Sequence, residues 1–221
     1  MSRAQNIRRA LRHCGPCRRR IPQTPGQRGK SAIGGGRCDD VCVIELRTAR
    51  LLLRTWTVDD ADFLYDMDSR WEVRQYIGVS PAVMTDRSEA LASIERRRAL
   101  DHPVHGIWAI ELLGEGALVG NLLLKPIPPS SGESSTSPEV EIGWHLHPDH
   151  WGNGYASEAG SAGLSHAFAA GLPRVVAVTA PGNLASQRVC RRLGMRHLGR
   201  TGAYYNASVE LYEQLKTDWP G

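Results

Sequence analysis

The stretch "HPDHWGNGYASEAG", residues 147–160, sets glycines at 152 and 154 where a Pro-containing bend gives way to helical composition. The first turn of a helix carries amide hydrogens without intrahelical partners, and the macrodipole adds partial positive charge. Two residues without side chains leave those amides open, and the chemistry they suit is the binding of a phosphate or pyrophosphate. A tight turn with no ligand is the competing explanation, because glycine reaches backbone angles that other residues avoid. The spacing is not the dinucleotide-binding fingerprint, which needs a third glycine, and no Gly-Lys-Ser/Thr follows as in a nucleoside-triphosphate loop. Just upstream, "EVEIGWHLH" alternates strongly. As a strand it puts Glu139, Glu141, Gly143, His145 and His147 on one face and Val140, Ile142, Trp144 and Leu146 on the other. One face thereby gathers carboxylates and imidazoles, the groups that move protons in catalysis. The solvated side of a half-exposed sheet would carry the same pattern.

The elements that position these residues follow from periodicity and punctuation. "ELRTARLLLRTW" alternates as a strand, and "TVDDADFLYDMDS" follows as a helix with Thr57 as N-cap and acids in its first turn. "TDRSEALASIERRRAL" reads as a second helix capped near Thr85, with Ala90, Ile94 and Leu100 roughly on one side. "GIWAIELLG" and "ALVGNLLLK" are two strands joined by the turn at 114–116, and the polar loop "PIPPSSGESSTSP" leads to the strand described above. After the glycines comes a helix to about Ala170, stopped by Gly171, Leu172 and Pro173. Then follow a buried strand "RVVAVTA", a helix begun at Asn183 and closed by Gly194, and strands in "MRHLGRTG" and "ASVELYEQL". This order predicts an α+β, or mixed α/β, arrangement around one central sheet.

A chain of 221 residues is long enough for one catalytic domain with a substantial core. No apolar run approaches the ~18 residues of a membrane-spanning helix, and no signal-peptide stretch follows the Arg-rich start, so a cytoplasmic location is expected. The formal charge of +4 is unevenly spread: residues 1–42 hold ten Lys or Arg against two Asp, and the remainder holds 17 basic against 21 acidic residues. Residues 1–43 are therefore read as a disordered basic extension, able to meet nucleic acid or the ribosome through weak electrostatics, and 44–221 as the folded domain. Cys14, Cys17, Cys38 and Cys42 could alternatively close a zinc site, although the segment has almost no large apolar residues to build around it. A third reading makes the extension a start-site artefact, with the natural protein beginning near Val43.

"EIGWHLHPDHWGNGYASEAG" and "RVVAVTAPGNLASQRVCRRLGM" together resemble the acetyl-CoA-binding core of the GNAT superfamily of N-acetyltransferases, and most of all its ribosomal-protein N-terminal (RimJ/RimL-type) branch. The resemblance spans roughly residues 44–217, with its specific part from Glu141 to Met195. It implies a mostly antiparallel twisted sheet flanked by helices, with a splayed strand pair that takes the cofactor. It also implies acetyl-CoA as co-substrate, an amine as acceptor and direct transfer between them. The family's Q/R-x-x-G-x-G/A loop falls on Trp151, Gly152, Asn153, Gly154, Tyr155 and Ala156, with Trp where a basic residue often stands. The pyrophosphate would then rest mainly on backbone amides. Leu146 and His147 would lend backbone groups to the pantetheine arm. Asn183, an N-cap in any case, matches the asparagine that touches pantetheine, with Ser186 close by. Glu141 matches the glutamate facing the substrate and is the first candidate for general base. The tyrosine expected seven residues after Asn183 is Cys190 here, so the general acid is open between Cys190, Tyr204 and Tyr205, or no dedicated acid at all. A non-catalytic acyl-CoA-binding or regulatory module is the alternative that this missing tyrosine raises.

Overall fold

The computed structural model describes residues 44–78, 80–131 and 139–220. The extension with Cys14, Cys17, Cys38 and Cys42 lies outside them, and so do the three readings of it. The stretch before Trp56 forms a hairpin rather than a single strand: β1 (Leu46–Arg47) and β2 (Leu51–Thr55) pair antiparallel, Leu46 opposite Leu53. Thr48 makes the turn, since its amide donates to the Leu51 carbonyl and its hydroxyl accepts from the Leu51 amide, each at 2.9 Å. Thr57 is the N-cap that the sequence predicts, in a capping box with Asp60, and opens a single 3-10 turn continued by α1 (Ala61–Ser69). Asp60 also takes both terminal nitrogens of Arg54 on β2, at 2.8 and 2.9 Å, which fastens this helix start to the sheet.

A four-residue helix, α2 (Trp71–Arg74), follows, and α3 (Arg87–Arg98) is capped by Asp86 rather than Thr85. Glu89 explains the shift: its carboxylate accepts from the amides of both Thr85 and Asp86 and from the Thr85 hydroxyl, so Thr85 is recruited as a donor instead. The remaining elements are β3 (Gly106–Leu112), β4 (Leu118–Pro126), β5 (Val140–Leu146), α4 (Tyr155–Ala169), β6 (Arg174–Thr179), α5 (Leu184–Arg192), β7 (Arg196–Thr201) and β8 (Val209–Leu215). All eight strands form one sheet in the order β1-β2-β3-β4-β5-β6-β8-β7, antiparallel at every junction except β5 with β6.

Helices cover both faces of this sheet because its central strands are apolar on both sides. On β3, Trp108 and Ile110 join the core that holds Ala159, Leu164 and Phe168 of α4, whereas Ala109 joins Leu64 and Met67 of α1 and Ile94 of α3. Full burial of each large side chain among these contributes roughly 1.5–3 kcal/mol. α4 lies close on the sheet at Gly163, where an added Cβ would come within 2.7 Å of Leu122 and 2.9 Å of Ile142. A larger residue there would force the ends of the Leu122 and Ile142 side chains to shift. No described helix is long and apolar enough to cross a membrane.

Candidate active site

β5 and β6 run parallel and share one register pair, Glu141 with Val176. Beyond it the strands part, and a cleft of about 860 Å³ opens between them. Five residues separate Glu141 from Leu146 along β5, a reach of roughly 17 Å at 3.3 Å per residue. The cleft therefore has two chemically different ends.

At the Leu146 end the chain turns through Pro148–His150 into the glycine loop. Gly152 (φ 81°) and Gly154 (φ 80°) are both left-handed, the conformation that favours glycine. Gly154 is the N-cap of α4, and no side chain caps this helix, so its first amides face the cleft without a side-chain acceptor. Trp151 is 49% exposed, and its indole nitrogen donates to the Leu146 carbonyl at 2.8 Å, tying the loop back to the strand. Arg50 braces the loop from the β1–β2 turn: its guanidinium donates to the Asn153 carbonyl at 3.1 Å, pairs with Glu158 at 2.7 Å and lies over the Tyr155 ring. Burial works against the Glu158 charge, but hydrogen bonds from Thr48 and Arg50 outweigh it and hold the carboxyl below its ordinary pKa. The one acid in the first turn of α4 is thus turned away and neutralised. Arg188 and Arg192 line the same cleft from α5, and two of its hydroxyls, Ser157 Oγ and Thr179 Oγ1, are buried without hydrogen-bond partners. Open amides, two guanidinium groups and unsatisfied hydroxyls fit a phosphorylated, amide-rich ligand.

The other end is built on Glu141, which is 5% exposed. Lys125 lies directly across the β4–β5 ladder from it and places Nζ 2.8 Å from its Oε1 and 3.2 Å from the Tyr205 hydroxyl. The Tyr205 hydroxyl itself donates to Glu141. Burial first, and then the neighbouring Glu141 charge, push the Tyr205 phenol well above its ordinary range, so it stays protonated at any physiological pH. Tyr204 points elsewhere: it donates to Glu139, which is also paired with Arg174. His145 lines the cleft on β5, and burial followed by the charges of Arg97 and Arg74 pushes its pKa down to about 3. It is a neutral and very weak base.

Leu146, Trp151, Gly152, Gly154, Tyr155 and Ala156 line the cleft, as do Asn183, Ser186, Glu141 and Tyr205. Asn183 is the N-cap of α5, its side chain accepting from the Ser186 amide at 3.1 Å. Four of the residues singled out in the sequence are not brought to the cleft wall. His147 is buried against Asp66 of α1, 3.0 Å away, and Asn153 is held within the loop, its carbonyl accepting from Arg50 and its side chain donating to the carbonyls of His150 and Trp151. Tyr204 is spent on Glu139, and Cys190 is fully buried in the core. The alternation that groups Glu139, Glu141, His145 and His147 on one face is thus no solvated face, since each of these groups has a specific environment. Lys125 and Arg50 carry no signal in the sequence, because strand register brings in the first and contacts over a hundred residues apart the second, whereas Ser157 directly follows the glycine loop and Thr179 lies within the strand "RVVAVTA".

The profile of the acetyltransferase (GNAT) domain family matches residues 50–196. Bacillus subtilis YoaA, named an N-acetyltransferase, is 33% identical over 156 residues, which cover 70% of this chain and 84% of the relative. Among solved structures, the GNAT-family acetyltransferase from Bacillus anthracis superposes with a TM-score of 0.64 at 25% identity, covering 79% of this chain and 99% of its own. Mycobacterium smegmatis RimJ, solved with a CoA-disulfide, shares the fold at a TM-score of 0.63 and 22% identity, covering 81% of this chain and 89% of its own. With two thirds of its length matched by the family profile and a splayed cleft of this composition at its centre, the chain belongs to the acetyltransferase (GNAT) family, whose co-substrate is acetyl-CoA.

Proposed function

We propose that the chain transfers the acetyl group of acetyl-CoA directly to a primary amine, either a protein N-terminal α-amine or the amine of a small molecule. The observation that carries this reading is the Glu141–Tyr205–Lys125 cluster at one end of a cleft whose other end presents open helix amides. The pyrophosphate rests on the α4 amides beyond Gly154, with Arg188 and Arg192 nearby, and the pantetheine arm follows β5 past Leu146 toward Asn183 and Ser186. Glu141 accepts a proton from the acceptor ammonium, and the freed lone pair attacks the thioester carbonyl carbon. The nitrogen of the tetrahedral adduct gives up its remaining extra proton to solvent as the adduct collapses and expels the CoA thiolate. Tyr205, held protonated, is the group placed to give that thiolate a proton, and it recovers one from Glu141, which took a proton in the first step and is hydrogen-bonded to the Tyr205 hydroxyl.

A non-catalytic module is the weaker reading, because its motive was the missing tyrosine at Cys190, and Tyr205 enters the cleft from a different element. The test is labelled acetyl-CoA offered with free-N-terminus peptides, polyamines, aminoglycosides and amino acids. Acetyl transfer to one class supports the proposal and names the acceptor. Binding of acetyl-CoA without transfer to any class would leave the module as the better reading. Glu141→Gln is expected to lower kcat by about 10²–10⁴, the usual contribution of a general base, with acetyl-CoA affinity by calorimetry nearly unchanged. Turnover equal to the native enzyme would remove Glu141 from the mechanism.

A further inference from the structure

Tyr205 (φ 60°) and Asn206 (φ 53°) are the non-glycine residues with left-handed backbone among those described, and they are adjacent. Asparagine tolerates this region, whereas a bulky aromatic residue seldom enters it. Such a conformation persists only where the surroundings over-determine it. Here the surroundings come from another loop. The segment after β4 and the β7–β8 connection form an isolated bridge at Pro129 and Tyr204. The Ser130 amide donates to the Ala203 carbonyl at 2.8 Å and the Tyr205 amide to the Pro128 carbonyl at 3.3 Å. Side chains complete the tie. The Ser130 hydroxyl donates to the Gly202 carbonyl at 2.6 Å and accepts from the Asn206 amide at 2.9 Å, while Asn206 Oδ1 accepts from the Ser131 amide at 2.7 Å.

The sheet order gives this tie its reach. β4 and β8 are not neighbours, because β5 and β6 lie between them. The contact between their loops therefore spans the splayed pair on the side where Glu141 sits. β5 and β6 themselves meet at Glu141 and Val176, and Arg174 of β6 pairs with Glu139, so the loop tie closes over the one place where the two halves of the sheet are joined. The residue that the strained turn delivers is Tyr205, with its hydroxyl on Glu141.

We propose that Ser130 and Asn206 are positioning residues for acetyl transfer: they lock the 203–206 turn across the splay and so hold the Tyr205 hydroxyl against Glu141. This rests on the reading of Glu141 and Tyr205 as the proton-transfer pair. Neither residue touches the reacting atoms, and each acts through the backbone of the turn.

Two readouts test it on the full chain. With tyrosine labelled at the ring carbon bearing the hydroxyl, the Tyr205 resonance is identified by its loss in Tyr205→Phe. In the native protein it stays in the protonated position through alkaline pH. In Ser130→Ala it titrates closer to an ordinary tyrosine, and Ser130→Thr, which keeps the hydroxyl, restores the native behaviour. A native titration in Ser130→Ala overturns the proposal, whether or not an acceptor has been found. With the acceptor from the panel above, Ser130→Ala lowers kcat about tenfold to a hundredfold, the cost of a small misplacement, while KM for acetyl-CoA holds. The double variant Ser130→Ala/Tyr205→Phe is then no slower than Tyr205→Phe alone, and losses that multiply would overturn the clamp. Asn206→Gly removes the side-chain tie yet eases the backbone, so it is the second variant to use if Ser130→Ala fails to fold. Native titration and turnover in Asn206→Gly would remove Asn206 from the device. Native turnover in Tyr205→Phe would instead defeat the proton-transfer reading, and the resonance would still decide the clamp.

Discussion

Cys190 sits at 0% exposure in the core cluster with Leu193, Met195 and Tyr212, and burial pushes its thiol up to about 12. A thiol so held is a small hydrophobe, with neither the thiolate fraction to react nor a path to the cleft. Cys190→Ala is expected to destabilise the domain by about 1–2 kcal/mol, read from denaturant midpoints, and to leave kcat unchanged. Iodoacetamide treatment of the folded protein followed by peptide mapping should find Cys190 unmodified. Glu141 was legible in the sequence, since alternation put it on the titratable face and the family resemblance gave it a role. Lys125 was not, because what brings it to Glu141 is the pairing register of β4 and β5, a property of two strands together. Tyr205 was legible only as one of several donors, and what separates it from Tyr204 is a left-handed turn that the local sequence marks through Asn206 alone.

Among the elements, the uncapped start of α4 concentrates the most chemistry in the fewest residues. Gly154→Ala forces a Cβ onto a left-handed backbone, at a cost of about 1–2 kcal/mol. An added Cβ there meets only Arg50 Nη2, at 3.6 Å, so the strain is conformational rather than a clash. If the loop relieves it by turning its amides away, acetyl-CoA binding weakens about tenfold for each 1.4 kcal/mol lost. Calorimetry with acetyl-CoA measures this directly, and an unchanged affinity would argue that those amides do not hold the pyrophosphate. Long periodic elements such as α4 and the central strands were readable from pattern. The β1–β2 hairpin was not, because two short strands in sequence mimic one, and four-residue α2 is too short to show a period. The α3 cap moved by one residue for a reason that involves Glu89, which competes for the Thr85 hydroxyl.

At the scale of the whole molecule, the order of strands explains why the site lies where it does. Seven junctions join eight strands, and the six antiparallel ones are laddered along much of their length, whereas the parallel junction keeps one register pair. Antiparallel neighbours and flanking helices were foreseeable from the element order and the resemblance, but the residue at which β5 and β6 separate was not. That residue follows from how two twisted half-sheets meet. A sheet divided in this way has a mechanical weakness at its middle, spanned by helices, by the loop tie and by whatever fills the gap. A ligand lying along β5 would act as a missing rung, making the co-substrate part of the load path between the halves. Without it, the two half-sheets should lose amide protection at different denaturant concentrations in hydrogen exchange. With saturating acetyl-CoA both should keep protection to higher denaturant and lose it closer together, because a ligand held by both halves stabilises only the state in which both are folded. With the acetyl donor bound as proposed, the gap between the half-sheets would also make the stiffness of the enzyme conditional on substrate supply.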